Sequence, residues 1–188
     1  MRALLDAGAR VRLISPAPSG QIEQWAGQGH IEWLEREYAP GDLEGAFLVI
    51  ACPRDRSRNA EIWAEAEARG ILMDAIDDSP HASFILPAIH RQGDLVIAVS
   101  SSGKSPALAS RVRDRIAGDL SPAYGEFLDL LGQLRAEVIE RFPDFTLRRK
   151  LWYRLVDCEA LALLEAGDRA AALKALRRIL DDAPPATM

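Results

Sequence analysis

Short apolar runs alternate with stretches of helical periodicity over the first 76 residues, and this alternation limits the folds open to the chain. The run at residues 47–51 is nearly all apolar, as expected for a strand that is covered on both faces of a sheet. The amphipathic stretch at residues 58–69 follows it and stops at Gly70. Strands that alternate with helices indicate an α/β fold with a doubly wound parallel sheet. Its strands are predicted at residues 11–15, 31–34, 47–51 and 71–76.

The start of the chain is unusual for such a sheet. Residues 2–6 have the pattern of the last turns of a helix that Gly8 closes. In a parallel sheet this helix should follow a strand, and the turn G-x-G-x-x-G of dinucleotide-binding sheets occurs nowhere in the sequence. We therefore expect a Rossmann-like sheet that is truncated at its N-terminus, with Met1 an internal methionine of a longer chain. A genuinely shortened protein is the alternative.

The pattern changes after residue 82. Residues 84–89 and 95–100 indicate a β-pair around a turn at Gly93, and the rest of the chain is helical. Ser105-Pro106 and Ser121-Pro122 mark helix starts, because a capping residue precedes a proline at the first helical position. Helices are predicted at residues 106–117, 123–141, 147–164 and 169–180. We divide the chain into a sheet domain (1–82), a β-pair (83–104), a helical domain (105–182) and a tail (183–188).

Composition and charge argue against several classes of function. A net charge of −5 provides no dominant basic field for nucleic acid. Apolar runs are too short to span a membrane, so no membrane partner is expected and the cytoplasm is the expected location. Cys52 and Cys158 lie far apart without a C-x-x-C partner, and the three histidines lack ligand spacing. Neither a disulfide framework nor a permanent metal site is therefore predicted.

Two adjacent carboxylates, Asp77 and Asp78, follow the strand predicted at residues 71–76, and His81 comes shortly after them. Polar residues just past the carboxyl end of a strand lie where ligands bind in an α/β sheet. Aspartate also favours turns, so a lone aspartate here could simply end the strand. A carboxylate in this position can act as a general base toward a substrate proton.

The residues from this strand end onward resemble a known family. An aspartate, then A-S-F-x-x-P, then V-A-V-S-S-G-G-x-S-P-x-L-A before a long helix are typical of the precorrin-2 dehydrogenase/sirohydrochlorin ferrochelatase family, the N-terminal module of siroheme synthases. Ser102 departs from the pattern, because the family usually has glycine there. The matching residues are Asp77, Ala82-Ser83-Phe84, Pro87 and residues 97–109. The resemblance extends from Ala7 to about Leu155, and the family also carries a G-G-G-x-V-A turn that this sequence lacks.

The resemblance implies NAD-dependent oxidation of precorrin-2 to sirohydrochlorin in siroheme biosynthesis, with insertion of Fe2+ as a chelatase substrate. It also implies a homodimer that assembles through the helical region. Asp77, selected by its spacing to Ser83-Phe84, would take a proton as hydride leaves and assist the loss of pyrrole protons when iron enters. Asp78 is the alternative acid, and His81 could shuttle a proton or steady iron.

Candidate binding residues follow two predicted strands and also lie in the helical half. The resemblance places Pro16 and Ala17 against the adenosine half of NAD, and Ala51, Cys52 and Pro53 could line the nicotinamide side. A polycarboxylate such as precorrin-2 suits a small-residue loop at a helix N-terminus and nearby cations. These candidates are Ser100, Ser101, Gly103, Ser105, Arg111, Arg148 and Arg149. Ser101 also matches a serine that can be phosphorylated in the family.

Two other functions stay open at this point. A nucleotide-sensing regulatory α/β domain would explain the sheet but neither the segment around Asp77 nor the helical half. The second is a degenerate, non-catalytic tetrapyrrole binder that has lost its cofactor loop. The codons upstream of Met1 would separate the second function from the enzyme.

Overall fold

Four short strands in the first part of the chain form two parallel pairs. β1 (Arg12–Ile14) pairs with β2 (Glu32–Leu34), and β3 (Leu48–Ala51) pairs with β4 (Leu72–Ala75). In the computed structural model, which describes residues 1–53, 55 and 57–183, no ladder of hydrogen bonds joins the two pairs. The predicted strands are confirmed as parallel partners, although each is one or two residues shorter than predicted.

Three helices accompany these strands: α1 (Arg2–Asp6), α2 (Gly20–Gly27) and α3 (Ser57–Arg69). α3 contacts both β3 and β4, and its apolar face closes a small core. The buried residues of this core are Leu43, Ala51, Ile62, Ala66, Met73 and Ala75. α2 was not predicted, because glycines at both of its ends are poor helix formers.

Two residues of the predicted strands lie outside them. Phe47 is 80% exposed and precedes β3, so its assignment to a covered strand is wrong. Ile76 is 47% exposed and follows β4, where the backbone turns at Asp77. The hydrophobic character of both residues led to the longer predicted strands.

A β-hairpin follows, in which β5 (Ala88–Gln92) runs antiparallel to β6 (Leu95–Val99). Gly93 stands at the turn with φ 55°, a left-handed value that glycine adopts without a steric penalty. The prediction that the first strand begins at residue 84 is wrong, since residues 84–87 are irregular. Pro87 has no N–H to donate to a ladder, so the strand begins only after it.

Five helices follow within residues 100–183, and α5 has the predicted bounds. The helices are α4 (Pro106–Asp119), α5 (Ala123–Arg141), α6 (Phe145–Val156), α7 (Ala160–Glu165) and α8 (Arg169–Asp181). The prediction of a single helix at residues 147–164 is wrong, because α6 ends at Val156 and a separate helix, α7, begins at Ala160. Asp157 is a weak helix former, and the break lets α7 pack against α5 and α8.

α5, α6, α7 and α8 share one apolar core. Its fully buried residues include Leu130, Leu134, Val138, Leu155, Ala160, Ala172, Leu176 and Leu180. Asp144 caps α6 by accepting the Leu147 N–H at 2.8 Å, and Asp168 caps α8 by accepting the Ala171 N–H at 2.8 Å. The caps fix the starts of two helices that the apolar stripe alone leaves undefined.

The chain divides into two compact units, Met1–Ile85 and Leu86–Met188. In the second unit the hairpin contacts α4, and β6 also contacts α5. The predicted tail begins at Ala183, and its residues 184–188 lie outside the described residues. Within the described part of the chain, no helix is long and apolar enough to cross a membrane.

Candidate active site

Asp77 lies in the turn after β4 and has a left-handed backbone. Its φ is 58°, a conformation that costs most non-glycine residues about 1–2 kcal/mol and that aspartate tolerates better than most. The Ile76 N–H donates to the Ala51 carbonyl at 2.9 Å, and the Asp78 N–H donates to the Ala75 carbonyl at 3.1 Å. Asp77 is therefore an exposed residue on an ordered turn at the carboxyl ends of β3 and β4, where parallel sheets bind ligands.

Asp78 connects α3 to the short 3-10 turn Ser79–His81. Asn59, a buried residue of α3, donates from Nδ2 to Asp78 Oδ2 at 2.9 Å. His81 Nδ1 lies 2.9 Å from the same oxygen. The ring of Trp63 meets the imidazole edge-on, with 6.3 Å between the ring centroids. The two secondary candidates, Asp78 and His81, are therefore joined to each other and to α3.

Ser83 holds the far end of this segment against β4. Its hydroxyl accepts the Met73 N–H at 2.7 Å, and its own N–H donates to the Met73 carbonyl at 2.7 Å. The serine of the Ala82-Ser83-Phe84 motif thus extends the hydrogen bonding along β4. Its role in this chain is to fix the segment that carries Asp77.

The cofactor candidates follow two different strand pairs. Ala51 is buried and pairs with Ala75, so the Ala51–Pro53 segment lies beside the turn that carries Asp77. Cys52 is exposed. Pro16 and Ala17 follow β1 and are exposed, and the Ala17 N–H donates to Ser15 Oγ at 3.4 Å. The structure therefore brings one of the two groups next to Asp77, and the other lies at the end of the first pair.

The serine-rich loop of the second unit is ordered by its own hydroxyls. Ser105 caps α4 by accepting the Leu108 N–H at 3.2 Å, and Ser101 accepts the Ser105 N–H at 3.0 Å. Ser100 accepts the Ser102 N–H at 3.1 Å. Gly103 and Ser102 both have left-handed backbones, with φ 77° and 53°. Ser102 thus carries a side chain at a position where glycine is favoured.

The arginine candidates have different surroundings. Arg148 donates from Nη1 to the carbonyls of Phe142 and Pro143 at 2.9 and 3.1 Å. Arg149 lies over the Tyr153 ring with 5.7 Å to the centroid, and Arg111 is exposed on α4. A groove of about 300 Å³ runs along α6 and is lined by Phe145, Arg148, Arg149, Trp152, Tyr153 and Val156. Arg148 therefore holds the end of α5, whereas Arg149 and Arg111 extend from the helix surface.

Three family models match successive parts of the chain. An NAD(P)-binding model covers residues 1–88, and the central region of sirohaem biosynthesis proteins covers residues 92–118. The sirohaem synthase dimerisation region covers residues 123–180. Siroheme synthase 1 of Serratia proteamaculans is 36% identical over 95% of the chain, and siroheme synthase of Pseudomonas entomophila is 36% identical over 97%.

The chain belongs to the precorrin-2 dehydrogenase/sirohydrochlorin ferrochelatase family. It spans 37% and 40% of the lengths of those two siroheme synthases. A solved structure described as "SirC, precorrin-2 dehydrogenase" has the same fold, with a TM-score of 0.69 and 19% identity over 94% of this chain and 86% of that chain. The resemblance read from the motif residues is thereby confirmed, as is the Rossmann-like fold class.

The structure shows three contacts at this site that the family motif does not identify. They are made by Asn59, by Trp63 and by the Ser83 hydroxyl. Asn59 lies in the middle of α3, and no local signal in the sequence links it to Asp78 nineteen positions later. An asparagine on the buried face of an amphipathic helix was the available clue, because buried polar groups need partners.

Proposed function

We propose that this chain is an NAD-dependent precorrin-2 dehydrogenase that produces sirohydrochlorin in siroheme biosynthesis. The observation that carries the proposal is the family-matched Asp77 on its ordered, left-handed turn at the carboxyl ends of β3 and β4. Family membership supports the substrate, and the NAD(P)-binding match over residues 1–88 supports the cofactor. A cytoplasmic location fits this role in small-molecule biosynthesis.

The chemistry requires one well-placed base. Oxidation of precorrin-2 removes two electrons and two hydrogens, one of which leaves as a hydride and the other as a proton. NAD, when bound, accepts the hydride. Asp77 takes the proton on its carboxylate, and the hydrogen bonds of the turn hold its backbone in place for this step.

The residues at the strand ends fit a dinucleotide held mainly through the backbone. Ala17 and Cys52 are exposed and small, and Ala51 is buried against β4, so bulky side chains do not block close approach to the main chain. Ligands of parallel sheets bind at such carboxyl ends. We assign Pro16 and Ala17 to the adenosine half, and Ala51, Cys52 and Pro53 to the nicotinamide half.

Precorrin-2 carries many carboxylates, and the second unit offers donors for them. The serine-rich loop precedes the N-terminus of α4, where free N–H groups favour anions. Guanidinium groups bind carboxylates through paired hydrogen bonds. The proposed substrate contacts are Ser100, Ser101, Gly103, Ser105, Arg111, Arg148 and Arg149. Phosphorylation of Ser101 would place negative charge in this loop and oppose substrate binding. The dimerisation-region match at residues 123–180 supports a homodimer.

One observation favours iron insertion as a second activity. Asp77, the acid that the family motif identifies, follows β4 next to Asp78, and Asp78 is in contact with His81. Among the described residues, no group of three or more His, Cys, Asp or Glu side chains could hold a metal ion. We propose that the macrocycle nitrogens bind the Fe2+ substrate and that Asp77 assists the departure of the two pyrrole protons.

The test is to incubate the protein with precorrin-2 and NAD and to follow sirohydrochlorin and NADH together. We expect equal amounts of the two products, and Asp77→Asn should lower the rate on the order of 100-fold. A separate reaction with sirohydrochlorin and Fe2+, without NAD, tests chelation. Binding of precorrin-2 without turnover would instead support the non-catalytic tetrapyrrole binder, and binding of NAD alone would support the nucleotide sensor.

A further inference from the structure

The Asp78 carboxylate is held from two sides. Asn59 Nδ2 and His81 Nδ1 each lie 2.9 Å from Asp78 Oδ2. Asn59 is 1% exposed, whereas the side chains of Asp78 and His81 are 18% and 33% exposed. The contacts therefore run from the interior of the first unit to its surface, with the carboxylate in the middle and the imidazole at the solvent side.

The buried amide must point its donor at Asp78. Asn59 Oδ1 is buried and has no hydrogen-bond partner among the residues that the structure describes. An unpaired buried acceptor destabilises a fold, because it has lost its hydrogen bonds to water without gaining others. Turning the amide over would place this oxygen against the carboxylate oxygen, which is worse because both atoms only accept. The fold thus keeps an unsatisfied atom in order to hold the Asp78 carboxylate in one orientation.

This carboxylate determines which nitrogen of His81 carries the proton. An ionised carboxylate only accepts hydrogen bonds, so Nδ1 holds the hydrogen in the neutral imidazole and Nε2 keeps its lone pair. Trp63 packs edge-on against the ring at an interplanar angle of 65°, which limits ring rotation. Within the described ranges, Nδ1 makes the hydrogen bond of this side chain and Nε2 makes none. Nε2 is therefore available as a base.

Among the described residues, the titratable side chains on the elements that contact the 3-10 turn are mainly acids. The 3-10 turn contacts both β4 and α3. The carboxylates on β4 and in the turn are Asp74, Asp77 and Asp78. On α3, Arg58 donates to the Tyr38 carbonyl and Glu65 accepts the Tyr38 hydroxyl, so both of these side chains are directed to Tyr38.

We propose that Asp78 is a positioning residue that presents His81 Nε2 as the second proton acceptor of this site, an inference that rests on the proposed dehydrogenation. The proton that Asp77 takes from the substrate moves to His81. The O–H bond at Asp77 breaks, an N–H bond forms at Nε2, and the imidazolium then releases this proton to solvent. The transfer returns Asp77 to its ionised form for the next turnover.

The first test needs no catalysis. Nitrogen chemical shifts of ¹⁵N-histidine-labelled protein report the tautomer, and the three histidines are assigned with His30→Gln, His81→Gln and His90→Gln. We expect His81 to be the Nδ1–H tautomer in the unmodified chain. Asp78→Asn can donate to Nδ1, so it should shift His81 toward the Nε2–H form. An Nε2–H tautomer in the unmodified chain overturns the positioning role of Asp78.

The second test measures the relay by chemical rescue. We expect His81→Ala to lower kcat on the order of 100-fold with little change in the KM for precorrin-2. Free imidazole in the buffer should restore the rate in proportion to its concentration, which a purely structural role of His81 would not produce. His30→Ala, which removes an exposed histidine of the same unit, should keep the activity of the unmodified chain.

The outcomes separate this inference from the proposed function. An unchanged kcat in His81→Ala, or a loss that imidazole does not rescue, overturns the relay while the dehydrogenase stands. Absence of precorrin-2 oxidation by the unmodified chain overturns the dehydrogenase and the relay together. In that case the nitrogen shifts still decide whether Asp78 positions His81.

Discussion

The Ser83 side chain binds both polar groups of the Met73 backbone. Its Oγ accepts the Met73 N–H at 2.7 Å and donates to the Met73 carbonyl at 3.1 Å. Met73 is fully buried in β4, so these contacts join Ser83 to the core of the first unit. They close a loop between Met73 and Ser83 that contains Asp77, Asp78 and His81.

We expect Ser83→Ala to destabilise the protein by about 1–3 kcal/mol, because the Met73 N–H loses its partner in the interior. Loss of the closing contact should also lower the rate of precorrin-2 oxidation, since Asp77 is then less well positioned. Urea denaturation measures the first effect. Ser79→Ala is the matched control, because Ser79 is exposed, and its effect should stay within about 0.5 kcal/mol. Equal stability of the two variants would contradict the role given to Ser83.

The left-handed backbone of Asp77 allows function to be separated from stability. Asp77→Gly should unfold at a higher urea concentration than Asp77→Ala, because glycine adopts φ 58° without steric cost. The two variants should differ by about 1 kcal/mol. Both variants lack the carboxylate, so both should oxidise precorrin-2 on the order of 100-fold more slowly. Normal turnover by Asp77→Gly together with an inactive Asp78→Ala would reassign the base to Asp78.

Two glycines of α5 should respond oppositely to alanine. A Cβ at Gly132 meets open space, so Gly132→Ala should stabilise the protein by about 1 kcal/mol through helix propensity. A Cβ at Gly125 would lie 3.1 Å from the Gln92 carbonyl oxygen, where α5 passes close to the hairpin turn. Gly125→Ala should therefore gain nothing or lose stability. Thermal unfolding of both variants checks the difference. Equal stabilisation would mean that the hairpin turn shifts to make room for the Cβ of residue 125 at little cost.

Glu65 should make the stability of the first unit dependent on pH. Burial on its own raises the pKa of this carboxyl, but hydrogen bonds from the Tyr38 hydroxyl at 2.5 Å and the Gly41 N–H at 2.8 Å outweigh it. The Leu43 N–H and the Arg69 guanidinium act in the same direction, so the pKa lies below its usual value. A lowered pKa in the folded state gives stability above the unfolded value, about 4.3, that is lost as pH falls through the folded pKa.

Glu65→Gln should therefore cost about 1–3 kcal/mol at neutral pH and should flatten the loss of stability in acid. Urea midpoints measured between neutral pH and about pH 3 give the comparison. Glu67→Gln, on the exposed side of the same helix, should leave both the midpoint and its pH dependence unchanged. If the urea midpoint of Glu65→Gln falls with decreasing pH as steeply as that of the unmodified chain, other carboxylates cause the loss of stability in acid.

Sequence periodicity predicted the elements that bury a continuous stripe. Residues 123–141 form α5 as predicted, because its apolar residues recur at helical spacing. The residues of this pattern that are buried are Phe127, Leu130, Leu134 and Val138. The break after Val156 was not predictable in this way, since the stripe continues through it. Asp157 is the local signal for this break, whereas the packing of α7 against α5 and α8 depends on residues distant in the sequence.

The candidate site shows the same division. Asp77 was predictable because a strand end followed by an acid is a local pattern, and the family motif singled out the first of the two acids. The contact of Asp78 with Asn59 joins residues nineteen positions apart, and the left-handed φ of Asp77 depends on bonds to β3 as well as β4. Such relationships follow from the folded arrangement of α3, β3 and β4.

The final prediction concerns assembly. The family resemblance implies a homodimer that assembles through the helical region, although α5 and α6 bury most of their apolar residues inside one copy. The apolar residues that stay exposed in the dimerisation-region match are Ile139, Phe145, Leu147, Tyr153 and Val156. Phe145, Tyr153 and Val156 line the groove of α6, and exposed apolar patches of this kind mark interaction sites.

We expect light scattering at micromolar concentration to give twice the chain mass of 20.7 kDa. Val156→Glu should shift the protein toward the monomer, because a charge placed in a desolvated interface lacks a partner. Arg154→Glu changes an exposed residue of α6 outside the groove and should leave the dimer intact. If the unmodified chain is a monomer, the homodimer prediction is wrong. If the Val156→Glu variant is still a dimer, the interface lies on another surface of the helical half.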